Sequence, residues 1–379
     1  MNLKIKFFLT ELIFFFQKIL FFFSNLLTFW VPNSKNKKRL IIGRETANLL
    51  NMYSQIFNCY SINTSKNKFY DASYSIDLSN VPRFLRYIFL PILFPIFLKQ
   101  YSSIWFFSAG SFFLSNDGRS WEFKQAKNKN VTIICFFVGS DIRSLKLSKE
   151  LSTEQELDHW SNYVDEAQLT NSDIKSKLYS EATNNYADTV FSFENDQASY
   201  ITRKIYMLPT PVSRNKYKTH LDKWNDTSVI KILHSPSSPL IKGTKFVESA
   251  IKKLESENYK FEFKLLTNVS QDQVLSELDN AHIALNEFFA YVPGIFGIEA
   301  LEANCLLLTS ASRILEPSLF EGCDSAWVPT QYNQIYDNLK YYLDNIDLAR
   351  EQANKGTLWA KKHFSHEATK DFVDSVLNE

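Results

Sequence analysis

Apolar positions along this chain fall into three regimes. From Phe7 to Val31 almost every position is Phe, Leu or Ile, and the polar exceptions (Thr10, Glu11, Gln17, Lys18, Ser24, Asn25 and Thr28) recur with a spacing of seven. That spacing gathers them into one narrow stripe on a helix. From Phe84 to Leu98 a second apolar run is flanked by Arg83, Arg86 and Lys99 and interrupted by Pro91 and Pro95. Proline inside a helical pattern predicts a break, so this stretch reads as a buried helix pair or as a second membrane-facing patch. Elsewhere, short apolar runs alternate with helical periodicity.

In the first half, Arg39–Gly43, Ser103–Phe107, Val131–Val138, Thr189–Phe193 and Lys204–Leu208 read as strands, with a helix near Thr46–Ile56. The polar stretch Ser213–Ser228 reads as a linker. The second half alternates more cleanly. Strands at Val229–Leu233, Phe261–Leu266, His282–Leu285 and Leu306–Thr309 are separated by helices near Thr244–Glu257, Gln271–Leu278 and Gly297–Asn304. Helices near Tyr332–Leu343, Ile346–His363 and His366–Leu377 close the chain. Strands alternating with helices predict parallel sheets covered on both faces. The expected class is α/β: a membrane-associating segment over 1–38, a Rossmann-like domain over 39–212, a linker over 213–228 and a second Rossmann-like domain over 229–379. The last helix is a candidate to cross back onto the first domain. Ligands of such sheets sit at the carboxyl ends of the strands.

Composition narrows the classes. The chain has 379 residues, 45% of them hydrophobic, which suffices for two cores and excludes a disordered chain. The formal charge of +1 gives no overall electrostatic footprint for nucleic acid. The four cysteines (Cys59, Cys135, Cys305, Cys323) lack zinc-ligand spacing. Charge is nevertheless uneven, because residues 1–45 carry eight basic and two acidic side chains. Basic flanks around the Phe7–Val31 run suit an amphipathic helix lying on an anionic membrane. A true span is long enough, but Glu11 and Lys18 near the bilayer centre would each cost about 2.5–3.5 kcal/mol. A helix packed within the protein is the third reading.

Three segments carry candidate chemistry. His234-Ser235-Pro-Ser-Ser-Pro-Leu-Ile-Lys242-Gly243-Thr244 follows a strand and opens a helix, where backbone N–H groups and the helix dipole suit a phosphate and Lys242 adds a point charge. In Asn286-Glu287-Phe-Phe-Ala-Tyr-Val-Pro-Gly294-Ile-Phe296-Gly297-Ile298-Glu299-Ala-Leu-Glu302-Ala-Asn304, two glycines enter a helix with two carboxylates one turn apart. Glu302, set among apolar neighbours, needs a polar partner such as a ribose diol. Gly139-Ser140-Asp141-Ile-Arg143 ends an apolar strand of the first half and would face the cleft. Each has a plainer reading as a surface lysine, a solvated glutamate or a capped turn.

In this order the three segments resemble the GT-B glycosyltransferases, in particular the retaining glycosyltransferase family 4. The HSPSS…IKGT loop resembles the start of that family's donor domain, FGIEALEA the second part of its Glu-x7-Glu element, and GSDIR a loop of its acceptor domain. The resemblance implies that Lys242, with Gly243 and Thr244, meets the donor diphosphate, and that Glu302 holds the ribose. His234, Ser235, Gly294, Phe296, Gly297, Ile298 and Glu299 would border the donor. Gly139, Ser140, Asp141 and Arg143 would lie on the acceptor side, with Asp141 beside Lys242 as the catalytic candidates. It also implies retention at the anomeric carbon. There are departures. Gly294 stands where the first Glu falls, Ser237, Ser238 and Pro239 stand where a basic residue precedes the lysine, and Cys305 follows where Gly-x-Pro is usual.

The expected activity is transfer of a sugar from a nucleotide-diphosphate donor to a lipid-linked or cell-envelope saccharide, at the cytoplasmic face of a membrane, with no cofactor and no nucleic-acid partner. The chain contains no Asp-x-Asp, so transfer without a metal is expected. Two alternatives share the architecture: a non-hydrolysing nucleotide-sugar epimerase, and a catalytically inactive GT-B protein that binds a partner at the membrane.

Overall fold

The computed structural model describes residues 3–35, 37–66, 70, 72–114, 116–154, 164–212 and 221–379. Two parallel sheets form the frame. The first contains β1 (Lys37–Gly43), β2 (Tyr60–Asn63), β3 (Ile76–Asp77), β4 (Tyr101–Phe107), β5 (Thr132–Phe136), β6 (Thr189–Ser192) and β7 (Tyr206–Met207), in the order β3-β2-β1-β4-β5-β6-β7. The second contains β8 (Ile230–His234), β9 (Phe261–Leu265), β10 (Ile283–Leu285), β11 (Leu306–Thr309) and β12 (Val328–Pro329), in the order β12-β11-β10-β8-β9. Strand order reverses between β1 and β4 in one sheet and between β8 and β10 in the other. Those two switch points are where a parallel sheet leaves a crevice.

Helices α1 (Leu3–Leu27), α2 (Leu49–Ile56), α3 (Arg83–Gln100), α4 (Ser120–Asn128), α5 (Leu145–Glu154) and α6 (Glu166–Tyr186) belong to the first half. The second half carries α7 (Pro239–Lys242), α8 (Thr244–Ser256), α9 (Gln271–Asn280), α10 (Gly294–Glu302), α11 (Ile335–Asp344), α12 (Ile346–Phe364) and α13 (His366–Asn378). The strands read as continuous apolar runs because both faces are covered. Ile104 through Phe107 on β4 and Leu306 through Leu308 on β11 are fully buried. On α8 the apolar positions Val247, Ala250, Ile251 and Leu254 form the buried stripe against the second sheet.

The expected break at Pro91 and Pro95 does not occur: α3 runs unbroken through both. Each proline removes an N–H from the helix ladder and frees a carbonyl one turn back. The carbonyl of Tyr87, freed by Pro91, accepts Gln17 Nε2 of α1 at 3.1 Å. Ser24 Oγ of α1 donates to the Ile92 carbonyl at 2.6 Å, and Gln17 Oε1 accepts the Leu114 N–H at 2.8 Å. The polar stripe of α1 therefore turns inward onto α3. Glu11 accepts from Asn116 Nδ2 and Lys18 sits over the Phe14 and Trp121 rings. The outward face is the apolar one: Phe15, Phe23, Leu26 and Trp30 are each more than 60% exposed. Phe8–Trp30 is long and apolar enough to cross a membrane.

The halves are joined at several points. Arg39 of β1 pairs with Asp374 of α13 at 2.7 Å, so the last helix packs on the first domain beside α2. Glu316, fully buried in the second half, accepts the backbone N–H groups of Glu194, Asn195 and Asp196 from the first half at 3.1, 2.9 and 2.7 Å. Ser152 Oγ and Tyr291 Oη share a hydrogen bond of 3.1 Å. The start of the expected linker, residues 213–220, lies outside the described residues. Its end holds the second sheet, since buried Trp224 donates Nε1 to the Asn304 carbonyl.

Candidate functional site

The second sheet places a cavity of about 330 Å³ beside its switch point. Ser235, Pro236 and Ser237 leave β8 to form one wall, Leu266 and Asn268 follow β9, and Ile295, Phe296 and Glu299 project from α10. Ala47 and Tyr70 reach in from the first half, so the cavity lies between the domains. The loop carrying Ala47 is strained. Ala47 and Asn48 both sit in the left-handed region, at φ 53° and 63°, a conformation that side chains with a Cβ seldom adopt.

Lys242 lines the cavity. It ends α7, and Gly243 then turns at φ 76° so that α8 can start in a new direction. The Lys242 ammonium forms an ion pair with Glu287 at 3.0 Å, both side chains being largely buried. Glu287 follows β10, and its Oε1 lies 3.1 Å from where a Cβ on Gly294 would be. The carboxylate thus occupies the space that a glycine leaves open. Gly294 itself sits at φ 59°. Gly297 permits a close approach, because a Cβ there would fall 2.7 Å from Pro293 Cβ and 2.8 Å from Asn286 Nδ2.

His234 is wholly buried and does not line the cavity. Its Nδ1 faces the Leu285 carbonyl at 2.7 Å, which fixes the proton there, and its Nε2 accepts from Thr244 Oγ1 at 2.9 Å. The ring thereby ties the end of β8 and β10 to the first turn of α8. Burial, and secondarily the Lys242 charge, push its pKa down to about 4. Glu299, almost fully buried, accepts from Gln271 Nε2. Burial, then the carboxylates of Glu299 and Glu45, push the Tyr70 phenol up to about 12.

Of the donor-side residues read from the sequence, the structure brings Ser235, Lys242, Phe296 and Glu299 to the cavity wall. Gly243, Thr244, Gly294 and Gly297 shape the backbone behind it, and Ile298 is core. Glu302 lies one turn beyond Glu299 and is not among the lining residues. The Gly139–Arg143 turn lines neither this cavity nor the other large one. Asp141 accepts from the Val138 N–H and from Ser108 Oγ, both at 3.0 Å, and burial raises its pKa. Arg143 is paired with Asp196 at 2.6 Å, the residue whose N–H meets Glu316. Gly139 and Ser140 are exposed. The turn therefore belongs to the domain junction. Sequence reasoning passed over Glu287, Tyr70 and Ala47. Glu287 stood in a segment already singled out, whereas the other two come together only in three dimensions.

The architecture has solved counterparts. Sucrose-phosphate synthase from Thermosynechococcus elongatus superposes with a TM-score of 0.56 at 12% identity, covering 90% of this chain and 98% of that one. The chain has the GT-B fold. The Anabaena protein Alr3699/HepE, solved with UDP-glucose, superposes at 0.55 and 10% identity over 90% of this chain and 99% of the other. WaaG, a glycosyltransferase involved in lipopolysaccharide biosynthesis, does so at 0.52 and 10% identity over 89% and 98%. No family model matches this GT-B chain, and no curated protein is significantly similar to it.

Proposed function

We propose that this chain is a glycosyltransferase that takes a nucleotide-diphosphate sugar in the interdomain cavity and transfers the sugar to a lipid-linked or cell-envelope saccharide at a membrane surface. The observation that carries this reading is Lys242 in the cavity wall, at the carboxyl end of the second sheet, with Tyr70 and Ala47 of the other domain opposite. A cation there is suited to charge that grows on a departing diphosphate. Two GT-B proteins of the same architecture support it, one solved with UDP-glucose and one named as a glycosyltransferase.

The ribose contact falls to Glu299 on this reading, not to Glu302. Glu299 is the carboxylate of α10 that reaches the cavity. Counting from Glu299 also repairs a departure in the family resemblance, since Asn304 then stands at the glycine of Gly-x-Pro. Asn304 adopts the left-handed conformation, φ 59°, that a glycine there would supply. The first position of Glu-x7-Glu then falls on Tyr291.

Thermal shift against a panel of nucleotide sugars, followed by a transfer assay with and without EDTA, tests the reading. One nucleotide sugar should stabilise the protein and turn over, with activity surviving chelation. Lys242→Ala should lower turnover by about 100-fold, or ~2.7 kcal/mol, with the fold intact by circular dichroism. Glu299→Ala should mainly weaken UDP binding, by about 1.5–3 kcal/mol, and Glu302→Ala should not. Interconversion of the nucleotide sugar without transfer would favour an epimerase. Binding without any turnover would favour an inactive partner protein.

A further inference from the structure

The first sheet has a crevice of its own. A cavity of about 670 Å³ opens at the carboxyl ends of β1, β2, β3 and β4, bordered by Arg44 after β1, Thr64 to Lys66 after β2, Ser79 after β3 and Ala109 after β4. It therefore sits at the β1/β4 switch point. The lining contains Arg44, Lys66, Arg83 and Arg86 and, among the described residues, no aspartate or glutamate. Arg83 and Arg86 stand one turn apart on α3, on the stripe continued by Tyr87 and Leu90.

Four like charges around one hollow repel one another unless an anion joins them. Neighbouring carboxylates do not fill that role. Asp77 is engaged by Asn63 Nδ2 and by Ser79, and Glu11 by Asn116. Among the described residues, Arg44, Lys66 and Arg83 form no ion pair. Arg86 donates Nη1 to the Thr64 carbonyl, while its Nε is buried without a partner. Behind the cavity's Tyr179, Arg119 stacks on that ring at 4.9 Å but does not line the cavity, and its charge is faced by buried Glu122. The guanidinium and ammonium groups that do line the cavity are matched by phosphate oxygens.

The surroundings add a second property. The cavity wall that carries Tyr87 and Leu114 is the one to which Gln17 of α1 is bonded. Phe84, next to Arg83, is 64% exposed, and Phe15 and Leu12 of α1 are 61% and 52% exposed. A cationic hollow thus lies against an exposed apolar face.

We propose that this cavity holds the phosphoryl group of an anionic amphiphile, the acceptor of the transfer reaction, whose alkyl chain lies along the apolar face of α1 and α3. This rests on the glycosyltransferase reading and names the chemical class of its acceptor. The two sites would share one loop, because Arg44 lines this cavity and Ala47 lines the other.

The test uses the full chain in dodecyl maltoside micelles, with dodecyl phosphate, inorganic phosphate and UDP as probes. Dodecyl phosphate should bind at least tenfold more tightly than inorganic phosphate. The Arg83→Gln/Arg86→Gln double variant should lose at least tenfold of that affinity and keep wild-type affinity for UDP. Should the double variant misfold by circular dichroism, Lys66→Gln, at an exposed position, should show a loss of at least threefold. Unchanged dodecyl phosphate binding in a folded variant overturns the proposal. Equal affinity for the two phosphates assigns the cavity to a soluble phosphate and overturns the amphiphile. UDP binding read on the same samples keeps the donor site separate. Its failure would remove the donor reading, whereas loss of dodecyl phosphate binding alone would remove only this one.

Discussion

Lys242 and Glu287 show how a single pair poises a site. The carboxylate 3.0 Å from the ammonium holds it in place, but it also places negative charge where a diphosphate would arrive. Glu287→Gln keeps the shape and removes that charge. It should tighten UDP binding about tenfold, or ~1.4 kcal/mol, by calorimetric titration. His234 gives a second prediction at this scale. Its folded pKa is depressed to about 4, against 6.5 for the unfolded chain. Below pH 6.5 the unfolded chain therefore takes up a proton that the folded chain refuses, and stability falls as the pH drops from 6.5 toward 4. The loss is on the order of 3 kcal/mol at the lower end. Urea unfolding at pH 5 and pH 7.5 should show it in the wild type and a flatter dependence in His234→Gln. The sequence made Lys242 legible because a scarce glycine and a helix start follow it. On the proposed reading the ribose assignment moves by one helical turn, from Glu302 to Glu299, because the two carboxylates differ in reach rather than in pattern.

Among elements, what was readable depended on whether packing used apolar side chains. Strands β8, β10 and β11 and helix α8 were legible because their buried faces are mostly aliphatic, β9 because Phe261 and Phe263 alternate with charged residues, whereas β12, two residues long, was not. Helix α6 was not, because its buried positions Leu169, Asp173, Ser176, Ser180, Ala182 and Thr183 are mostly small and polar, which leaves a weak apolar period. β3 is two residues long, too short for any alternation. The α1–α3 pair was legible as apolar and helical, but not in its sense of rotation. The polar stripe that would mark a water-facing side instead closes the ladder gap at Tyr87 in a proline-containing helix. Gln17→Ala should consequently destabilise the protein by about 1–3 kcal/mol, since it strands the Tyr87 carbonyl and the Leu114 N–H. Chemical denaturation in detergent would measure it. Deletion of residues 1–31 should yield aggregate rather than dispersed protein by sedimentation, because it uncovers α3 together with its unsatisfied carbonyls.

For the whole molecule, the two domains share one apolar cluster and are joined at several polar points, of which Glu316 makes the densest. Glu316→Ala leaves three backbone N–H groups without their acceptor. It should lower stability by at least ~3 kcal/mol and split the calorimetric unfolding peak into two, one for each sheet. The connection between the two crevices is narrower still. Ala47 and Asn48, consecutive and both left-handed, lie three and four residues from Arg44, so one strained turn borders both cavities. A turn held in strain by its surroundings and bordering both cavities would let a molecule bound at one change the affinity at the other. Binding at the two cavities should then have a preferred order. By reciprocity, the factor by which UDP alters the affinity for dodecyl phosphate must equal the factor by which dodecyl phosphate alters the affinity for UDP.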